Sequence, residues 1–169
     1  MKKLIIVLAI LFLCLGISFC LFFEKKMTII TNAEVMFCDN RLDTDLAFIY
    51  KNEKSQIRAV IPIVPVLNAL GCRINWLSST IAEVHHQGNV YLLDLDKKGV
   101  FESKDKSSNL LDALGERWYR EVVSNDLLVD STSLSCALLQ MGIPVIIDID
   151  IENQVVRISE NRTATLGGY

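Results

Sequence analysis

The chain lacks most of the residue patterns that metal and phosphate chemistry require. It has only 2 His residues, and its 5 Cys residues include no C-x-x-C pair, so their spacing predicts no zinc-type cluster. A glycine-rich phosphate loop and a Gly-x-Ser-x-Gly elbow are both missing. These absences indicate a protein that is not an enzyme, and no catalytic, cofactor-binding or metal-binding residues are assigned.

The chain also lacks an excess of positive charge. Lys2 and Lys3 are two of its 17 basic residues, so the remaining 15 face 20 acidic residues and leave a net charge of about −5. Nucleic acid and anionic lipid are both attracted by positive charge, which argues against either as the main partner. We therefore expect no nucleic-acid partner.

The N-terminus is dominated by one hydrophobic run. Residues 4–23 are apolar except for Gly16 and Ser18, and as a helix they would span roughly 30 Å, the thickness of a bilayer core. We expect residues 1–26 to be a retained signal anchor, with Lys2 and Lys3 keeping the N-terminus in the cytoplasm. Cleavage after Ser18 or Cys20 is the alternative, whereas lipidation of a cysteine is disfavoured by the large residue before it. The domain then lies outside the cytoplasm, on a single-pass membrane protein.

Residues 27–158 predict one α+β domain of small antiparallel β-sheets packed on two short helices. Residues 27–37 begin a strand, and residues 46–50 and 57–61 fit a hairpin. After Pro62, apolar residues recur at helical spacing up to Gly71, which suits the left-handed position past a helix end. Residues 72–76, 80–85 and 90–95 are expected to be strands.

The same order returns near the C-terminus and predicts a second degenerate strand-helix-strand-strand unit. A strand at residues 126–129 is followed by Asp130, whose side chain can cap a helix closed by Gly142. Strands are then expected at residues 145–148 and 154–158. Between the units, residues 97–108 are expected to form an exposed loop, and residues 109–123 to carry Leu110, Leu111, Leu114 and Trp118 inward. Residues 159–169 are expected to be a flexible tail.

The first unit carries a family resemblance. Ile61-Pro62 through Gly71-Cys72, then Ile74-Asn75-Trp76 and a turn into Thr80-Ile81, resembles the signature of the copper amine oxidase N-terminal-like domain, a stalk domain of bacterial surface proteins. The resemblance covers residues 35–158. It departs from the family at Val64, where a basic residue is usual, and at Ile147, where Trp is frequent. It implies a non-catalytic stalk, spacer or interaction module, with Trp76 as a core aromatic.

The histidines and cysteines are candidate chemical groups. His85 and His86 are neighbours on a strand and point to opposite faces, so one metal ion cannot readily bind both. Cys72 or Cys38 could pair with a histidine as a nucleophile, but Cys72 follows a helix C-terminus, which disfavours a thiolate. Cys38, Cys72 and Cys136 are expected to be small buried residues, with one disulfide and a spare thiol as the alternative.

Two further groups have a functional and a structural interpretation. The acids could bind calcium if a turn folded around them, but a solvated face is favoured; they are Asp94, Asp96, Asp148, Asp150 and Glu152. Trp76, Trp118 and Tyr119 could form a sugar-stacking platform, but a core position is favoured for Trp76.

The sequence therefore predicts a membrane-anchored, extracytoplasmic interaction or spacer domain at the bacterial cell surface. Its partner would be cell-wall polymer or a surface protein, in addition to the membrane itself. The alternative is a small cell-wall-associated enzyme or regulator that uses the strand-borne acids.

Overall fold

The protein is described by a computed structural model that covers residues 27–104, 106–112 and 119–161. These residues form an α+β fold that consists mainly of sheet, with two short helices, as predicted. The predicted anchor at residues 1–26, Leu114, Trp118 and residues 162–169 lie outside the described residues. None of the helices in the described part is long and apolar enough to cross a membrane.

Thirteen strands, two α-helices and one 3₁₀ turn follow one another along the described residues. They are β1 (Thr28–Asn32), β2 (Glu34–Phe37), β3 (Asn40–Arg41), β4 (Phe48–Lys51), β5 (Ile57–Pro62), α1 (Ile63–Ala69), β6 (Arg73–Trp76), β7 (Ile81–His86), β8 (Asn89–Asp94), β9 (Gly99–Glu102), the 3₁₀ turn (Leu110–Asp112), β10 (Arg120–Val123), β11 (Asp126–Asp130), α2 (Ser131–Gln140), β12 (Val145–Asp150) and β13 (Val155–Glu160).

The strands form three sheets. Their orders are β1-β4-β5-β11-β10, β12-β13-β2-β3 and β6-β7-β8-β9. All ladders are antiparallel except that between β13 and β2, which is parallel and corrects the prediction of purely antiparallel sheets. Hairpin turns force antiparallel pairing, whereas β2 and β13 come from opposite ends of the domain and no turn constrains their direction.

Both predicted helices are present, and both end at a glycine. Gly71 has φ of +76° and Gly142 has φ of +77°, the left-handed conformation that glycine adopts at little cost. The second helix also has its predicted cap, since the Asp130 carboxylate accepts a hydrogen bond from the Thr132 N–H at 2.8 Å. The first unit is thus β5-α1-β6-β7 and the second is β11-α2-β12-β13.

The two units join at the centre of the five-stranded sheet. β5 pairs with β11 in antiparallel register, with Ile61 opposite Val129. Leu67 of α1 and Leu138 of α2 are both fully buried and belong to the same hydrophobic cluster. The units therefore share one core.

Two boundary predictions were wrong. Residues 97–108 were expected to be an exposed loop, but Gly99–Glu102 forms β9, in which Val100 and Phe101 are buried. The short apolar run pairs with β8, and the Asn109 side chain accepts the Val100 N–H at 3.1 Å. The tail was expected to begin at residue 159, but β13 continues to Glu160, which pairs with Val145.

Candidate functional site

The most distinctive surface of the described residues is the free edge of β6. Within the described residues, β6 pairs only with β7, so it is an edge strand of its four-stranded sheet. The Leu77 N–H donates to the Ile81 carbonyl at 2.9 Å, continuing the ladder beyond Trp76. In an antiparallel ladder, alternate residues bond the neighbouring strand. The backbone groups of Ile74 and Trp76 therefore point away from β7, toward the open edge.

An exposed apolar pair lies at the end of this edge. Trp76 retains 41% of its accessible surface and Leu77 retains 57%. Trp76 faces the same side of the sheet as its register partner Ala82, and Ala82 and the next partner Leu93 are both 0% exposed. The indole thus projects from the core-facing side, but at a margin that the rest of the protein does not fully cover.

The core position predicted for Trp76 is therefore wrong. Strand alternation correctly places the indole on the inward face, but β6 lies at the sheet margin. Leu77 was not singled out from the sequence at all. The only local signal for it is the Leu77-Ser78-Ser79 turn, where an apolar residue next to two serines has little to pack against.

The sugar-stacking platform is not assembled from the described residues. Tyr119 packs edge-on against Phe48, with ring centroids 5.5 Å apart, in the five-stranded sheet. Its hydroxyl donates to the Glu121 carboxylate, and burial together with this hydrogen bond raises the pKa of Tyr119 to about 12. Trp76 belongs to another sheet, and Trp118 lies outside the described residues.

The two histidines diverge, as strand alternation predicts. His85 Nε2 lies 3.2 Å from the Glu83 carboxylate on one face, whereas His86 Nδ1 lies 3.8 Å from Cys72 Sγ on the other. Cys72 comes just before β6, at the position where the ladder would place it opposite His86. The sequence suggested a pair between Cys72 and a histidine but disfavoured it as a nucleophile; the contact is present, and its partner is His86.

The Cys72 thiol is poorly suited to act as a nucleophile. It is only 6% exposed, and burial raises the pKa of Cys72 to about 11, so the thiol is protonated at neutral pH. His86 also lines a cleft of about 150 Å³ between the ends of the two helices. Its walls are formed by Leu70, His86, Gln87, Gly142, Ile143, Pro144, Glu160 and Asn161. The Cys72 thiol does not line this cleft. The contact therefore links a buried thiol to a histidine at the cleft, and the sulfur itself stays covered.

Among the described residues, the two remaining cysteines, Cys38 and Cys136, are free as well. Cys38 is exposed in the turn after β2, with φ of +52°, and Cys136 is half-buried in α2. The expectation that all three are buried thus holds for Cys72 and is wrong for Cys38. Cys38 is exposed because it lies in a turn at the surface, where no other element of the described chain packs over its side chain.

The strand-borne acids bind protein donors. Asp94 accepts the Lys97 N–H at 3.0 Å, and Asp96 accepts the Thr80 hydroxyl at 2.9 Å. Asp150 accepts the side-chain and backbone N–H groups of Asn153, and these hydrogen bonds, with Arg157, lower its pKa to about 2.

Asp94, Asp96 and Asp150 therefore stabilise turns. Within the ranges that the structure describes, no group of three or more His, Cys, Asp or Glu residues is placed to hold a metal ion. Asp148 is exposed on β12, and Glu152 is exposed in the turn between β12 and β13.

Comparisons with protein-family models, with curated proteins and with solved structures found no match to this chain. The resemblance to the stalk-domain family therefore stays a prediction.

Proposed function

We propose that this protein is a membrane-anchored, non-catalytic interaction domain on the extracytoplasmic side of the bacterial cell membrane, a stalk-like module that binds a surface protein. The observation that carries this proposal is the free edge of β6, which ends in the exposed pair Trp76 and Leu77. The uncharged apolar run of residues 4–23 supports the membrane location.

An extended protein segment fits this edge better than a polysaccharide does. The open backbone groups of Ile74 and Trp76 can accept one more strand, because strand addition uses main-chain hydrogen bonds for affinity. Trp is enriched at the anchor points of interfaces, where a large ring is buried by the partner. The partner would be an extended segment with an apolar side chain over the indole. Cell-wall polymer offers no backbone ladder and is the less favoured ligand.

The alternative function, an enzyme or regulator built on the strand-borne acids, has less support. Such a site needs two carboxylates close together in a cleft. Asp94, Asp96 and Asp150 bind turn donors instead, and the lining of the cleft beside His86 includes a single carboxylate, that of Glu160, rather than a close pair.

Site-specific photo-crosslinking in intact cells tests the proposal. A photoreactive residue at Leu77 should form one protein adduct that is recovered in the membrane fraction. The same residue at Leu139, which is 60% exposed on α2, should not form it. Ile74→Pro removes an outward N–H and should lower the adduct yield about tenfold, whereas Ile74→Val should preserve it.

Other results would contradict the proposal. The same adducts from Leu77 and Leu139, or an adduct that survives Ile74→Pro in a folded protein, would rule out strand addition at β6. An adduct whose mass falls after wall digestion, and whose attached partner is not degraded by protease, would identify polymer as the ligand. Recovery of the protein free in the medium would overturn the membrane location.

A further inference from the structure

Strand β1 carries a second exposed apolar pair, and a β-bulge produces it. β1 is an edge strand that pairs with β4, with Ile29 opposite Tyr50 and Thr31 opposite Ile49. Ile30 is the extra residue at this register shift. Ile29 retains 57% of its accessible surface and Ile30 retains 42%, so neither side chain is taken up by the core.

The bulge indicates the kind of surface that can cover this pair. An extra residue interrupts the regular row of backbone groups and twists the edge, which hinders addition of another strand. The apolar side chains are therefore presented without an edge suited to strand pairing. A partner that needs only apolar contact, such as a lipid surface, fits this geometry better than a protein strand.

The position of β1 in the chain places it close to a membrane. The apolar run ends at Phe23, and β1 begins at Thr28. The five Cα–Cα steps from Phe23 to Thr28 reach at most about 18 Å, and the headgroup layer on each side of a bilayer is roughly 5–8 Å thick. An anchored chain therefore holds Ile29 and Ile30 within reach of the lipid headgroups.

Charges that precede the strand in the sequence, or pair with it in the sheet, favour the same partner. Lys25 and Lys26 precede β1, and the exposed Lys51 lies opposite Thr28 in the ladder. Basic residues close in sequence to an apolar pair match the phosphates that lie above the acyl chains. Glu24 is the acidic residue among them, between the apolar run and the two lysines.

We infer that the β1 edge rests on the outer surface of the bilayer, with Ile29 and Ile30 in the interface between headgroups and acyl chains. This inference rests on the proposed membrane anchor. β1 then has a second role besides forming the edge of its sheet: it holds one face of the domain toward the membrane.

Tryptophan quenching in vesicles tests this inference on the full chain. Trp76→Phe and Trp118→Phe remove the native indoles, and Ile30→Trp then reports on β1. Ile146→Trp is the matched control, since Ile146 is 52% exposed on the edge strand β12. In vesicles of phosphatidylcholine and phosphatidylglycerol with brominated acyl chains, the indole emission of the Ile30→Trp variant should fall about twofold. The emission of the Ile146→Trp control should not change.

Each other outcome has a defined meaning. If the protein floats with the vesicles but the Ile30→Trp variant is quenched no more than the control, the inference is wrong and the anchor stands. If the chain does not float with the vesicles, both proposals fail. If the emission of the Ile30→Trp variant shifts to the blue with rising protein concentration and without quenching, a second copy of the chain covers β1, which overturns the inference.

Discussion

Asp126 shows how one side chain joins the two units. Helix α1 follows Pro62, which offers no side-chain cap. The carboxylate of Asp126, at the start of β11, accepts the Val64 N–H at 3.1 Å and the Leu127 N–H at 2.7 Å. The first unit thus receives its helix cap from the second. Burial raises the pKa of Asp126, and the backbone N–H groups partly offset that rise.

Asp126→Asn should therefore preserve the cap and remove a buried charge. An acid whose folded pKa is raised contributes stability below its unfolded pKa of about 4, and this contribution is lost as pH rises through the folded pKa. The stability of the Asn variant relative to wild type should increase from pH 4 to pH 7 in urea denaturation. Asp126→Ala should cost about 1–2 kcal/mol, because the cap is lost. A difference between Asn variant and wild type that does not change with pH would contradict this account.

At the scale of elements, the two helices end in the same way. The Gly71 N–H bonds the Asn68 carbonyl, and the Cys72 N–H bonds the Leu67 carbonyl, at 3.0 Å each. Gly142 and Ile143 make the corresponding bonds to Leu139 and Leu138 at 3.0 and 2.8 Å. This arrangement satisfies carbonyls at the helix end and requires a left-handed residue.

Gly71→Ala and Gly142→Ala should therefore be equally destabilising, by about 1 kcal/mol each. An added Cβ meets nothing within 4 Å at either position, so only the backbone conformation contributes. Gly99→Ala is a useful contrast, since a Cβ there would lie 2.5 Å from Asn109 Nδ2, and crowding should cost about 1–3 kcal/mol. Chemical denaturation measures all three. Clearly unequal effects at Gly71 and Gly142 would show that the two helix ends are not equivalent.

For the whole molecule, the shared core predicts that the two units unfold together. Leu138→Ala should cost about 2–5 kcal/mol, because Leu138 is fully buried. Leu139→Ala, its neighbour on the exposed face of α2, should change stability by less than about 0.5 kcal/mol.

Hydrogen exchange measures whether the loss of stability in Leu138→Ala extends from the second unit to the first. In Leu138→Ala, protection should fall in β7 of the first unit as well as in β13 of the second, since β5 and β11 are paired in one sheet. Loss of protection confined to the second unit would show that the units are separate folding elements.

The sequence alone determined the local features of this fold. Pro62, Asp130, Gly71 and Gly142 mark helix ends through short-range hydrogen bonds and backbone preference, which depend on neighbouring residues only. The alternation around His85 correctly predicted that the two histidines diverge.

Only the tertiary structure decided which strands lie at sheet edges. β9 forms because β8 offers a partner, and β2 joins β13 from the far end of the chain. Trp76 points inward as its strand pattern predicts, yet it is exposed because β6 has no neighbour beyond it among the described residues. A residue's face on a strand follows from its own sequence position, whereas the cover over that face depends on long-range pairing, which a local pattern does not encode.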